Sequence, residues 1–293
     1  MSDFFDVFLL KTVLGMATPL IFAAMGGLIS EKSGVMNIAL EGLMLIGAFF
    51  GVVGAHYFES AWLGLLLGIL AAAVTAWIHA FWSITLRADQ IVAATAIILL
   101  GSGLTVFMML RLFGQSGQSP RVDRLPTFWG RVSILVPVAF LLVPIVWWVL
   151  NRTKIGLHIQ AAGESPRAAE SVGINVNLYR YVCVTLSGVL AGLGGAYLSI
   201  GDLSIFSREM TQGRGFIALA AVIFGNWTPF GTLAACLLFA AAQALPIQAQ
   251  ATGLGINRDL LLALPYLLTL VAIAGFVRRS RAPAGLGQHA TNR

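Results

Sequence analysis

Long apolar runs, separated by short polar segments, make up most of this sequence. A helix that crosses the hydrocarbon core of a bilayer needs about 20 predominantly apolar residues. Runs of that length lie at residues 7–29, 36–57, 61–86, 90–113, 132–150, 178–200 and 260–277. The pattern predicts an all-α fold, a polytopic membrane helical bundle in which residues 1–293 form a single transmembrane domain. We expect about 8–10 transmembrane helices, including broken or re-entrant segments.

The apolar stretch 215–245 is too long for one ordinary span and is interrupted near its middle. The interruption reads Gly225-Asn226-Trp227-Thr228-Pro229-Phe230-Gly231. Proline lacks the amide donor that a helix interior requires, and glycine favours turns. We therefore expect two limbs that meet at this turn. Two full crossings and a re-entrant hairpin both fit the pattern, and a hairpin would have to be covered by protein or line a water-filled cavity.

The composition agrees with a membrane location and narrows the function. Hydrophobic residues make up 58% of the chain and charged residues 10%, whereas soluble domains carry roughly 25% charged residues. A water-soluble enzyme is therefore excluded. The net charge of +6 comes from basic residues that are spread along the chain, a distribution that does not indicate binding to nucleic acid.

Two polar segments carry basic residues that predict the topology. These segments are residues 151–177 and the C-terminal tail 278–293, and the positive-inside rule places both in the cytoplasm. They share one side only if an even number of crossings separates them, which the two-limb interpretation of 215–245 satisfies. By the same count the basic segment 114–131 lies on the opposite side, where its arginines have no evident role.

The chain lacks the motifs of an ATPase or a metalloenzyme. Its only lysines are Lys11, Lys32 and Lys154, and none follows a glycine as a nucleotide-binding P-loop requires. It also lacks a His-Glu-x-x-His metal motif. We expect a non-enzymatic chain that binds no cofactor itself.

Residues 159–175 predict a short helix between two spans. Ser165 suits the N-cap, Pro166 suits the first helical position and Gly173 suits the left-handed end. The helix would expose small side chains between charged ones, namely Ala168, Ala169 and Val172 with Glu164, Arg167 and Glu170. Such a surface lets another protein approach closely. The alternative is an amphipathic helix at the membrane interface.

Three motifs together resemble a known family. Gly163-Glu164-Ser165-Pro166-x-Ala168-Ala169-x-x-x-Gly173-Ile174-Asn175, followed by Leu186-Ser187-Gly188-x-Leu190-Ala191-Gly192, resembles the coupling loop and next span of permease subunits from bacterial ABC importers. This branch handles ribose-type sugars, nucleosides and branched-chain amino acids. Residues 26–42 are similar to the second-span signature of the nucleoside and simple-sugar members, and residues 215–231 match a third block.

The resemblance implies a division of labour among several chains. Separate cytoplasmic ATP-binding subunits would bind ATP and Mg²⁺, and helix 166–172 within the coupling loop 151–177 would connect them to the spans. The coupling residues would be Glu164, Ser165, Pro166, Arg167, Ala168, Ala169 and Gly173. A second, often non-identical permease chain would complete the pathway, and an extracytoplasmic substrate-binding protein or lipoprotein would deliver the substrate. The bundle would lie in the lipid of the bacterial cytoplasmic (inner) membrane with a cytoplasmic C-terminus.

The same resemblance implies a nucleoside or purine-like substrate first and a simple sugar as the alternative. The competing class is an ion-coupled secondary transporter, in which broken helices near polar residues are also expected. The coupling helix distinguishes the two classes, because a secondary transporter has no ATPase to receive it.

Asn37 and Glu41 are candidates for the substrate pathway. They are one helical turn apart on the same face of a predicted span. A charge at the centre of a membrane helix costs about 2.5–3.5 kcal/mol on insertion scales, so Glu41 should face protein, water or a cation. One interpretation is a polar lining of the translocation cavity. The other is structural, with Glu41 accepting hydrogen bonds from amides of a broken helix or pairing with a residue such as Lys32.

Asn226 and Trp227 are the second pair of pathway candidates. They place a hydrogen-bonding group beside an aromatic ring at the predicted turn, a combination that suits a nucleobase. The alternative is a tryptophan at the membrane interface, which is common in membrane proteins.

Overall fold

The computed structural model describes residues 7–115, 117–129, 132–251 and 281–288 of the chain. The first half contains α1 (Val7–Lys32), α2 (Leu40–Tyr57), α3 (Ala61–Ala80), α4 (Gln90–Phe113), β1 (Thr127–Trp129) and β2 (Val132–Ser133). The second half contains α5 (Leu135–Arg152), α6 (Lys154–Glu164), α7 (Pro166–Ser171), α8 (Val176–Ala196), α9 (Arg214–Phe224) and α10 (Pro229–Ala251). Short π-helical segments extend α3 through Phe81–Thr85 and α8 through Tyr197–Leu203.

Seven helices within the described ranges are long and apolar enough to cross a membrane. This confirms the predicted all-α, polytopic bundle, and α4 has the predicted bounds of 90–113. The helix predicted from residue 36 begins later, at Leu40, because Gly34 turns the chain with a φ of +93° and residues 35–37 are not helical. The predicted span 260–277 lies outside the described residues.

Two helices, α2 and α8, lie at the centre of the bundle and pack against each other and against α3, and α8 also packs against α1. Glycines allow their backbones to approach closely. A Cβ on Gly47 would lie 2.6 Å from the Cα of Gly192, and one on Gly195 would overlap the carbonyl oxygen of Met44. Because lipid is as apolar as the side chains, such close packing is a main source of helix association in membranes.

The β1–β2 hairpin and helices α6 and α7 lie at opposite ends of the bundle, since α5 runs from one to the other. We call these ends the hairpin face and the α6–α7 face. At the hairpin face, residues 119–125 run along the end of α8, and the Leu125 amide donates to the Ile200 carbonyl at 3.0 Å. Arg124 Nε donates to Ser204 Oγ at 2.6 Å. Residues 119–125 of the basic segment therefore lie opposite the α6–α7 face, as the crossing count predicts, and Arg124 connects them to the end of α8.

The stretch 215–245 forms two limbs that meet at residues 225–228, which confirms the predicted break. The first limb, α9, has 11 residues and the second, α10, has 23. At 1.5 Å per residue α9 is about 16 Å long, roughly half the thickness of a hydrocarbon core. It is a half-helix that ends at the α6–α7 face. The irregular segment 204–213 brings the chain from the hairpin face to its start within the bundle.

Candidate coupling face and translocation site

The short helix α7 lies where its sequence predicts it. Pro166 is its first residue, and Gly173 follows with a left-handed φ of +85°. Ser165 occupies the predicted N-cap position, and its side chain accepts no hydrogen bond from the described amides of α7. The carbonyl of Ser165 instead accepts the Ala169 amide at 3.0 Å. The start of α7 is therefore stabilised by Pro166 at the first helical position and by the backbone hydrogen bond of Ser165.

The two alanines of α7 face opposite environments. Ala168 is exposed, together with Arg167 and Val172, whose exposed fraction is 74%. Ala169 is buried and packs against Ala162 of α6 and Val176 of α8. The prediction that Ala169 lies on the exposed surface is therefore wrong, because one side of α7 has to cover the α6–α8 junction. Of the residues predicted to be exposed, a partner can reach Glu164, Arg167, Ala168 and Val172, whereas Glu170 is half-buried.

Residues 281–288 of the tail cross the α6–α7 face. The amide of Gly285 donates to the Gly163 carbonyl at 2.8 Å, and the amide of Gly287 donates to the Gly34 carbonyl at 3.0 Å. Glu164 accepts the amide of Ala284 at 3.1 Å through Oε2. Residues 281–288 and the segment 151–177 therefore share one end of the bundle, and Glu164 binds this part of the tail.

Arg180 of α8 connects the tail to the end of α1 through hydrogen bonds beneath the α6–α7 face, a role that was not predicted from the sequence. Its side chain is 2% exposed. Its Nε donates to the Ser33 carbonyl at 3.1 Å, and one terminal nitrogen donates to the Gln288 carbonyl at 2.7 Å. The available signal was an arginine only two positions inside the apolar run 178–200, where a charge requires a protein partner.

Asn226 and Trp227 lie at the turn between α9 and α10, on the α6–α7 face. Trp227 is buried and its Nε1 donates to Glu31 Oε2 at 2.5 Å. Asn226 has a φ of +52° and its Oδ1 accepts the backbone amide of Arg281 at 2.9 Å. The Oδ1 of Asn226 and the Nε1 of Trp227 are thus engaged within the chain. Glu31, the partner of Trp227, was not singled out from the sequence.

Glu41 lies at the other end of α9, inside the bundle. Its Oε1 accepts the amide of Gly213 at 2.8 Å, and its Oε2 accepts the amide of Gly215 at 2.6 Å. The carboxylate is 7% exposed. These are the orphan donors at the start of a helix, and the helix dipole also favours a negative charge there. The geometry is that of the structural alternative, with the amides of a broken helix rather than Lys32 as partner.

Asn37 is fully buried between α2 and α8. Its Nδ2 donates to Ser187 Oγ at 2.8 Å, while its Oδ1 has no hydrogen-bond partner within the described part of the chain. Asn37 and Glu41 both lie near the start of α2, but Asn37 precedes the helix, so the predicted shared helical face is wrong; Asn37 binds α8 and Glu41 binds the start of α9. The structure separates both from Asn226 and Trp227 by the length of α9, so the four pathway candidates do not form one site.

A cavity of about 530 Å³ opens at the hairpin face between the first turns of α1, the start of α5 and the end of α8. Lys11, Tyr197 and Asp202 contribute its polar groups. Among the described residues, His, Cys, Asp and Glu nowhere form a group of three that could hold a metal ion.

Comparison with known families places nearly the whole chain in one group. Residues 9–273 match the family described as the permease component of branched-chain amino acid transport systems. Solved structures offer no match.

Curated relatives with transport names cover most of the chain. It is 39% identical to the guanosine ABC transporter permease protein NupQ of Bacillus subtilis, over 92% of this chain and 92% of that protein. It is 37% identical to the nucleoside ABC transporter permease protein NupC of Lactococcus lactis, also over 92% of each. It is 35% identical to the putative glucose ABC transporter permease protein TsgC13 of Haloferax volcanii, over 87% of this chain and 82% of that protein. A second guanosine permease protein of Bacillus subtilis, NupP, is 24% identical over 80% of this chain and 73% of its own.

Proposed function

Because the chain belongs to the family of permease components of branched-chain amino acid transport systems, we propose that it forms part of the membrane pathway of an ATP-driven importer for nucleosides. It is a permease subunit of an ABC transporter and not itself an enzyme. The observation that carries the nucleoside proposal is the identity of 39% and 37% to a guanosine and a nucleoside permease, in each case over 92% of the chain. A simple sugar is the second candidate, since a putative glucose permease is 35% identical.

The α6–α7 face is the proposed docking surface for separate ATP-binding subunits, which would bind ATP and Mg²⁺. Arg167, Ala168 and Val172 are exposed there beside the exposed carboxylate of Glu164, and they form a small, partly apolar surface with charges of both signs. The other side of α7 is packed on α6 and α8 through Ala169. A force applied to the exposed side would therefore act directly on the start of α8, one of the two central helices.

We assign the α6–α7 face to the cytoplasm, and with it the C-terminus, in the inner membrane of a bacterium. A substrate-binding protein would then deliver cargo at the hairpin face. A second, non-identical permease chain would complete the pathway, in keeping with the similarity of this chain to both NupQ and NupP of one Bacillus.

Reconstituted transport tests the proposal. Proteoliposomes would contain this chain with its second permease and ATP-binding subunits, ATP inside and the substrate-binding protein outside. We expect uptake of labelled guanosine that requires both ATP and the binding protein. Uptake of glucose without guanosine would change the cargo to a sugar. Uptake by this chain alone along an ion gradient would overturn the importer class in favour of a secondary transporter.

A further inference from the structure

A group of exposed polar side chains lies within the bundle, close in the chain to the Gly213 amide that binds Glu41 and away from Asn226 and Trp227. Glu209 and Gln212 belong to the irregular segment 204–213, and both are exposed. The carboxylate of Glu209 accepts a hydrogen bond from the hydroxyl of Ser102, a partly exposed residue of α4.

Two independent measures place this group at mid-depth. Ser102 lies near the centre of the 24-residue helix α4, about 17 Å from either end. Gln212 immediately precedes Gly213, which binds Glu41 at the start of the half-helix α9. That start lies about 16 Å from the α6–α7 face, again near the middle of the bundle.

An exposed carboxylate at this depth cannot face hydrocarbon, because lipid offers it neither water nor hydrogen-bond partners. The backbone of segment 204–213 cannot face lipid either, since lipid-exposed irregular backbone does not occur within the hydrocarbon region. Glu209 and Gln212 also hold left-handed φ angles of +54° and +47°. For residues other than glycine such angles are sparsely populated and are stabilised by the surrounding structure. The group must therefore meet water or a neighbouring protein chain.

We propose that Ser102, Glu209 and Gln212 line the translocation cavity midway across the membrane and bind the vicinal hydroxyl groups of a sugar ring, free or within a nucleoside. This inference rests on the proposed importer function. A carboxylate has two acceptor oxygens and so matches a pair of adjacent hydroxyl donors, and an amide supplies both a donor and an acceptor. The Ser102 hydroxyl holds the Glu209 carboxylate in place.

Thiol accessibility tests the location. The two native cysteines, Cys183 and Cys236, are buried, so single introduced cysteines can be followed in the complete importer in proteoliposomes. Gln212→Cys and Ser102→Cys should react with a membrane-impermeant cationic thiosulfonate at least tenfold faster than Leu100→Cys. Leu100 is a matched control, because it is exposed at the same depth as Ser102. The two residues flank Gly101, which packs against α2, so they point to opposite sides of this contact. Equal rates for all three variants would overturn the cavity assignment.

Substrate protection and uptake test the binding. Saturating guanosine, delivered by the binding protein, should slow modification of Gln212→Cys at least threefold. Glu209→Gln should lower the maximal uptake rate of guanosine about tenfold and that of 2′,3′-dideoxyguanosine less than twofold, since the dideoxy compound lacks the hydroxyl pair. Equal losses for both compounds, or none, would overturn the subsite.

A control variant and a comparison of two substrates separate a failure of the proposed subsite from a failure of the proposed importer function. Glu59→Gln changes an exposed carboxylate in the α2–α3 turn and should leave both rates unchanged. If the wild type imports glucose and not guanosine, the nucleoside proposal fails, and glucose with its 2,3-dideoxy analogue then tests the same residues. If the wild type imports guanosine and Glu209→Gln is unaffected, the subsite fails while the importer function stands.

Discussion

Replacing Glu41 should lower the stability of the protein more than it lowers the uptake rate of the folded complex. Its two carboxylate oxygens accept the amides of Gly213 and Gly215 at 2.8 and 2.6 Å. A glutamine keeps one acceptor and turns an NH₂ group towards the other amide, so one charge-assisted bond is lost. Hydrogen bonds to charged groups contribute about 1.5–3 kcal/mol. A loss of about 2 kcal/mol corresponds to a roughly 30-fold shift in the folding equilibrium.

Glu41→Ala should be more severe than Glu41→Gln. It leaves both amides buried without an acceptor, at about 1–3 kcal/mol for each, and the favourable charge at the start of α9 is also lost. We expect the order of stability to be wild type, then Glu41→Gln, then Glu41→Ala. Glu59→Gln is the matched control, because Glu59 is an exposed carboxylate in the turn after α2 and should behave as wild type.

Thermal inactivation of the purified complex in mild detergent, with membrane abundance measured in parallel, provides the assay. The reasoning predicts that the temperature of half-inactivation falls in the stated order and that specific uptake per folded complex changes little for Glu41→Gln. A Glu41→Gln protein that keeps its thermal stability and loses uptake would refute it. In that case the carboxylate would serve the translocation cavity rather than the start of α9.

Two further comparisons test the packing and the coupling surface. Gly195→Ala should strongly reduce membrane abundance because its methyl group would overlap the Met44 carbonyl, whereas Gly103→Ala should be neutral or stabilising since a Cβ there meets no described atom within 4 Å. Equal abundance of the two glycine variants would contradict the α2–α8 packing. Ala168→Arg should leave abundance unchanged and reduce ATP-dependent uptake severalfold, while Ala169→Arg should reduce abundance because it buries a charge. Normal uptake by Ala168→Arg would argue against docking on this surface.

The bundle could be predicted from the sequence because the bilayer imposes a length on each apolar run. The helix at 90–113 has its predicted bounds, and the break in 215–245 follows from Pro229 and the glycines around it. The late start of α2 could not be read in the same way, because residues 36–39 are as apolar as a helix start and only the turn at Gly34 delays it. Hydropathy measures the length of a run, not the depth at which its helix begins.

Depth also explains why the pathway candidates could not be placed from the sequence. Asn226 and Trp227 are at a break in an apolar stretch, which is compatible with either end of a half-helix. The structure puts the break at the α6–α7 face, where Trp227 meets Glu31, a partner 196 positions away. At mid-depth, Glu41 is buried against the start of α9, and the exposed polar residues are Glu209 and Gln212, in a segment that looks like an ordinary loop in the sequence.

The contacts of the tail are invisible in the sequence for a different reason. Gly285, Gly287 and Ala284 bind the α6–α7 face through their backbone amides, and every residue except proline carries that donor. Among the described partners, Glu164, Asn226 and Arg180 use their side chains. The hydrogen bonds of Arg180 go to the carbonyls of Ser33 and Gln288. A search for charge pairs would therefore pass over it. An arginine inside an apolar run is costly in a membrane, so the sequence predicts that the protein supplies a hydrogen-bond acceptor for it. The sequence does not identify that acceptor.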